Sequence, residues 1–290
     1  MKLRDFHLIE SYNNASRPEG AIIEITELNN FLVELSKTLF EAKINDSGYL
    51  EATLAKFIFA VQSIIHLSNG TPYLSTKIID YASICVLTRS SIENYLILYY
   101  LYLDNVSEDE KEFRFLLYKL SGLSNRQRYS ANRKESQIKM KKEAKQIKWL
   151  TEKLRQSKLY LQYKSKVEKP IGNAKIYTWT DLIKISSLDT DCFLTLWRFF
   201  SNYAHSEYIS VIQTQDNYKN KLSLEATLNS SFAVLQLLGL LIDQYSSLYP
   251  SVKIKYNIAP EKLRTKVSLW SNLARGNKTP NYSNGFRNFG

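Results

Sequence analysis

Three histidines occur in this 290-residue chain, and one of them closes a segment with chemical content. The segment reads Leu196-Trp197-Arg198-Phe199-Phe200-Ser201-Asn202-Tyr203-Ala204-His205-Ser206. On an α-helix, seven positions amount to two turns less about 20°. The spacing therefore predicts Arg198 and His205 on one polar face, with Asn202 between them and Ser201 beside them. Phe193, Trp197, Phe200 and Ala204 are expected on the apolar face of the same helix. A guanidinium can hold a phosphate through two parallel hydrogen bonds and stabilise charge in a transition state. An imidazole can take or give a proton near neutral pH. Of the other histidines, His7 falls in a polar segment and reads as incidental, and His66 reads as a helix-end residue.

A second pair lies on an earlier stretch. Between Asp80 and Asp104 the only charged residues are Arg89 and Glu93. At i, i+4 on a helix they can pair with each other as structural glue. Alternatively, Glu93 accepts hydrogen bonds from Arg198 or His205 and orients them. The sequence shows no His/Asp/Glu cluster with metal spacing, no glycine-rich phosphate loop and no Gly-x-Ser-x-Gly turn. No metal and no cofactor are expected. Cys85 and Cys192 sit in apolar helical contexts and are expected as buried free thiols, not as a disulfide framework or zinc site.

Charge is concentrated in one place. Residues 126–169 hold fifteen Lys and Arg against four Glu, a net of +11 that equals the formal charge of the whole chain. Such a stripe is the electrostatic footprint of a polyanion binder. No apolar face accompanies it, as a helix lying on a membrane would require, so nucleic acid is the expected polyanion. Lys141, Lys142, Lys145 and Lys148 are the candidate nucleic-acid contacts. The alternative is a solvated helical arm with no ligand.

The elements that must carry these residues are helices. Hydrophobic residues make up 44% of the chain and only 9 Gly and 6 Pro occur, too few turn residues for an all-β sandwich. Apolar residues at three- and four-residue spacing predict helices over about 26–43, 50–67, 75–103, 189–206 and 224–248. Asn69-Gly70-Thr71-Pro72 breaks the chain, and Ser107-Glu108-Asp109-Glu110 reads as a helix cap with acids in the first turn. A short helix is expected at Asp181–Ser186, capped by Thr180. Residues 252–256 are a candidate short strand, and Gln213–Lys221 reads as a polar separator. The tyrosines Tyr95, Tyr99, Tyr100 and Tyr102 are expected to pack in the core, with stacking on bases as the minority role.

The expected fold is all-α, an up-and-down helical bundle with a basic insertion, helical or mobile. Its parts are an irregular segment 1–22, a bundle 23–249 carrying the insertion at about 126–169, and an extension 250–290 with a disordered tail. No apolar run reaches about 18 residues and the N-terminus lacks an apolar signal region, so a cytoplasmic protein without a membrane partner is expected.

The Arg198-x6-His205 spacing, at the end of a helix in an all-α chain, resembles the Arg-x(4–6)-His motif of the HEPN superfamily. Phe200-Ser201-Asn202-Tyr203-Ala204-His205 is also similar to a Leu-Ser-x-Tyr-Val-His phrase in prokaryotic families near that superfamily. Those families carry an earlier Arg-Ser-x-x-Glu phrase, matched by Arg89-Ser90-Ser91-Ile92-Glu93. The resemblance spans residues 50–245 and rests on these few positions. It implies a metal-independent endoribonuclease, used in phage defence or toxin–antitoxin systems, with a composite site in a homodimer and an antitoxin-like protein as a further partner. Arg198 and His205 would be catalytic; Asn202, Ser201, Glu93 and Arg89 would support them. The RNA would supply its own nucleophile, the 2′-hydroxyl. Other HEPN members bind RNA or nucleotide without cutting it. Active members often have a polar residue after the arginine; this chain has Phe199, which points to the alternative of a non-catalytic module binding RNA, nucleotide or a partner protein.

Overall fold

Helix-forming stretches with apolar residues on one side dominate the chain, and each must bury that side against another. The result is an all-α protein, seen here in a computed structural model that describes residues 3–42, 48–73, 76–205, 207–220 and 224–277. In chain order the elements are α1 (Leu3–Ala15), α2 (Pro18–Glu41), α3 (Tyr49–Ser68), a small antiparallel hairpin of β1 (Thr71–Tyr73) and β2 (Thr76–Ile78), and α4 (Tyr81–Leu98), which runs on into a π-helical turn at Tyr99–Leu103. There follow α5 (Glu108–Arg126), α6 (Lys134–Arg155), α7 (Tyr160–Glu168), α8 (Trp179–Ile185), α9 (Thr190–Ala204), α10 (Tyr208–Asn220), α11 (Leu228–Leu248), α12 (Pro250–Asn257) and α13 (Glu261–Ala274). The chain divides into two compact units. One comprises the residues up to Leu98 and from Ile183 onward; the other is Tyr99–Leu182.

The first unit is a helical bundle. Its centre is α11, buried along most of its length through Val234, Leu237, Leu238, Leu241 and Ile242. The helix packs most extensively on α13 and also on α2, α4 and α12. Gly239 permits the close approach of α13: a Cβ added there would lie 2.6 Å from the Trp270 Cβ and 2.8 Å from the Ser271 backbone nitrogen. A polar cluster ties three helices together. Lys266 of α13 donates to Glu24 of α2 at 2.7 Å and to Glu27, and Ser11 of α1 donates to Glu24 at 2.6 Å. Burial alone would pull the Lys266 ammonium down, but its hydrogen bonds to the two carboxylates outweigh it and hold it above its usual value. By length and composition α3 is apolar enough to cross a bilayer; here it packs between α2 and α4 with Leu54, Phe57, Val61 and Ile64 buried.

The second unit is built around a buried arginine. Arg114 of α5 donates to the Tyr100 carbonyl at 3.0 Å, to Asp104 at 2.7 Å and to Glu110 at 2.9 Å. Its guanidinium lies over the rings of Tyr100 (4.7 Å) and Tyr177 (5.4 Å). Ser107 caps α5 by accepting from the Glu110 backbone N–H. The basic segment is ordered helix here: α6 lies against α5, locked by a two-pronged ion pair between Arg126 and Glu143.

Several boundaries differ from those read in the sequence. The segment expected to be irregular contains α1, and α2 already begins at Pro18. Apolar periodicity misses α1 because polar links hold it, Ser11 to Glu24 and Glu10 to Lys262. The expected extension is part of the core up to Ala274: Trp270 is fully buried, and Val267, Trp270 and Ala274 recur at helical spacing. Of the expected disordered tail, residues 278–290 lie outside the described residues. Residues 252–256 are helix α12 rather than strand, with Pro250 in the first turn, where a missing N–H costs nothing. Gln213–Lys221 is not a separator, since α10 runs through to Asn220. Thr178, not Thr180, caps α8, exchanging hydrogen bonds with Asp181.

An added methyl should therefore have opposite effects at two helical glycines. Gly239→Ala should destabilise the fold by about 1–3 kcal/mol through overpacking against α13. Gly122→Ala, where nothing approaches within 4 Å, should stabilise it by about 0.5–1 kcal/mol through helix propensity. Paired urea denaturation curves check both signs.

Candidate functional site

The candidate residues come together where α9 packs on α4. Asp189 starts α9, its carboxylate accepting from the Cys192 backbone N–H at 2.9 Å. Phe193 and Phe200 are buried and fix the rotation of the helix. That rotation brings Trp197 toward α4, where its indole Nε1 donates to the Glu93 carboxylate at 3.2 Å. The same Glu93 oxygen accepts from Arg89 Nε at 3.1 Å, one turn earlier on α4. The Arg89 guanidinium carbon also lies 5.5 Å from the Trp197 ring centroid.

The free end of Arg89 reaches the histidine. Its Nη1 lies 3.1 Å from His205 Nε2. A guanidinium has no acceptor, so Nε2 must accept and Nδ1 carries the ring proton in this arrangement. His205 is the C-cap of α9, one residue past its last helical turn, and it is solvent-exposed. Its backbone N–H donates to the Ser201 carbonyl at 3.2 Å. The result is a relay of four side chains: Trp197 and Arg89 share Glu93, and Arg89 holds His205.

The structure brings some of the sequence-derived candidates together and separates others. His205 and Arg89 are brought together, and Glu93 lies beside them. The Arg89–Glu93 self-pair and the orienting role are not exclusive in the structure: one carboxylate does the first and bears on His205 only through Arg89. Glu93 does not accept from Arg198 or from His205, the two partners expected of it. Trp197, expected on the apolar face, is half-buried and hydrogen-bonded, facing α4 one position before Arg198. Residue 198 is turned about 100° further round the helix. Accordingly Arg198 is exposed and has no side-chain hydrogen bond or ion pair among the described residues. Ser201 is occupied with its own helix, donating to the Trp197 carbonyl at 2.7 Å. Asn202 receives the Glu207 backbone N–H at its carbonyl, 2.9 Å, and its side chain has no partner among the described residues. Phe199 packs against Phe200 and Tyr203. Trp197 is the residue that sequence reasoning missed; a half-buried indole N–H needs an acceptor, and Glu93 was the one carboxylate on the apolar α4.

The basic face belongs to the second unit. Lys141, Lys142, Lys145 and Lys148 are all exposed on α6. Among the described residues none of them is ion-paired, whereas Arg126 is held by Glu143, and Arg155 by Glu152 and Glu168. Arg155 and the Tyr160 hydroxyl hold the Glu168 carboxyl down to about 2. Three of the four acids of the segment thus neutralise particular arginines and leave the lysines free. Tyr95, Tyr99 and Tyr100 are buried, as expected for packing residues. Among the described residues no three His, Cys, Asp or Glu side chains group in a way that could hold a metal ion. No known protein family, curated protein or solved structure matches this chain.

Cys85 is fully buried, and burial pushes its thiol up to about 12; Cys192 is half-buried, and burial, then the Asp189 charge, push its thiol up to about 11. Below about pH 8 both states keep these protons, so the thiols add little pH dependence there. As pH rises through the ordinary thiol range the unfolded chain releases them first, and folding stability should fall. Denaturant titrations at pH 8, 9 and 10 should show this decline, and Cys85→Ala with Cys192→Ala should flatten it. Iodoacetamide at pH 8 should label both thiols in urea but neither in the native protein.

Proposed function

We propose that this protein is a HEPN-type endoribonuclease that cleaves RNA without a metal ion, with His205 and Arg198 at its centre. The observation that carries this reading is the exposed His205 imidazole, held at Nε2 by Arg89 and preceded at helical spacing by Arg198, an exposed guanidinium with no partner among the described residues. An arginine exposed to solvent two turns before an oriented histidine suits an anionic substrate.

The chemistry would run as follows. The RNA 2′-oxygen attacks the adjacent phosphorus and the bond to the 5′-oxygen breaks, giving a 2′,3′-cyclic phosphate and a 5′-hydroxyl. The 2′-hydroxyl proton passes to an imidazole nitrogen, and the leaving 5′-oxygen takes a proton in turn. Arg198 holds the scissile phosphate and stabilises its added charge. Arg89 is the residue that sets the imidazole, and Glu93 and Trp197 position Arg89. When a phosphate draws Arg89 away from Nε2, that nitrogen becomes a free base at the place where the proton must go. A HEPN-like composite site would place two copies of this surface together, so a homodimer belongs to the proposal, as do cytoplasmic RNA as substrate and an antitoxin-like protein as a regulator in phage defence or toxin–antitoxin control.

One observation favours a second reading. Nε2 is engaged by Arg89, and the position after Arg198 is filled by packed Phe199. If Arg89 stays on the imidazole, the same surface binds RNA, nucleotide or a partner protein without cutting it.

Cleavage of a mixed RNA pool in EDTA separates the two. Wild type should cut, while His205→Ala should lose about 100-fold or more and Arg198→Ala about 100- to 1,000-fold, each folded by circular dichroism. Glu93→Gln should fall between them and wild type. Binding without cleavage by any of these proteins would replace the first reading with the second.

A further inference from the structure

The outward half of α6 carries more than lysines. Leu150, Leu154 and Glu143 mark its buried side, against α5. On a helical projection Lys141, Lys145 and Lys148 fall opposite them, with Lys142 on the flank. Among them stands Trp149, 53% exposed. Lys145 lies one turn before it and Lys153 one turn after, so the indole is flanked by cations along the same face. Among the described residues Trp149 has no hydrogen-bond, cation–π or aromatic partner. Leu150 and Leu154, not Trp149, fill the buried side of α6, and the half-exposed indole stands among lysines that make no ion pair among the described residues.

We propose that Trp149 is a stacking platform for single-stranded nucleic acid, with the α6 lysines tracking the phosphate backbone on either side of it. The chemistry fits that class. A base presents an apolar face of about the size of an indole, and its strand presents regularly spaced negative charges. The lysines are free to neutralise them because the neighbouring glutamates are engaged with Arg126 and Arg155. A duplex would not be read in the same way, because its bases are stacked on one another and only phosphates remain for the lysines. An isolated indole with one exposed apolar neighbour, Ile138 at 48%, does not form the continuous apolar face of a membrane-surface helix. The inference deepens the RNA reading above but does not need cleavage.

The test uses the full-length chain and anisotropy of fluorescein-labelled oligo(dT), which lacks the 2′-hydroxyl and so is not cut, beside a duplex of equal length. Wild type should bind the single strand more tightly than the duplex. Trp149→Ala should lose about five- to 100-fold of single-strand affinity while duplex binding and the salt slope stay the same. Trp149→Phe should recover most of the loss. Lys145→Ala should weaken single strand and duplex alike and reduce the salt slope by about one. Equal binding by wild type and Trp149→Ala would overturn the proposal, as would a duplex bound as tightly as the single strand. Stronger Trp149-dependent binding to vesicles of phosphatidylserine and phosphatidylcholine than to oligo(dT) would overturn it in favour of a lipid surface. Cleavage with no Trp149 effect removes only this inference; a Trp149 effect with no cleavage removes only the nuclease.

Discussion

The carboxylate of Glu93 is the one acceptor on which the arrangement of the candidate site depends. It receives Arg89 from its own helix at 3.1 Å and Trp197 from α9 at 3.2 Å. Two elements separated by a hundred residues of sequence are thereby set in register. The geometry of His205 follows from that register, because Arg89 is held by Glu93 on one side and reaches the imidazole with the other. An ion pair at i, i+4 on an exposed helix is worth little. Here the two side chains are only 16% and 26% exposed, and the pair orients the site: the guanidinium cannot swing without releasing either the carboxylate or the ring.

The distribution of charge follows a similar logic in the second unit. Glutamates are spent on arginines, which the planar fork of the guanidinium favours, and lysines are left in water. The net effect is a helix that is fastened to its neighbour through Arg126 and Glu143 yet presents a strongly positive outer surface. In the interior of the unit the buried Arg114 is paired with both Asp104 and Glu110, so its charge is compensated where water cannot reach it.

Much of this was legible in the sequence, and the parts that were not share a cause. Long apolar helices such as α11 and α4 announce themselves by periodicity, and Ser107 and Asp189 announce their helix starts by capping chemistry. The helix α1 does not, because it is held by Ser11 and Glu10 through partners more than ten residues away. The helix α13 does carry its signal, in Val267, Trp270 and Ala274, but the asparagine-rich residues after it obscured the reading. At the site, residue spacing puts Arg198 on α9, and the structure leaves His205 at its C-cap, but spacing does not give the rotation of α9 against α4. That rotation is set by Phe193 and Phe200 in the core, and it makes Trp197, not Arg198, the partner of Glu93. A contact across helices is a tertiary fact, and a single helix does not contain it.

The central claim is that an oriented imidazole acts on an RNA strand whose own 2′-hydroxyl is the nucleophile. The most direct measurement is cleavage, by the full-length protein in EDTA, of an RNA oligonucleotide in which the nucleotide at the cut site is replaced by its 2′-deoxy counterpart. This one substitution should abolish cleavage at that position, while the unsubstituted strand gives 2′,3′-cyclic phosphate and 5′-hydroxyl ends. Cutting at the deoxy position, or products with 3′-hydroxyl ends, would contradict it.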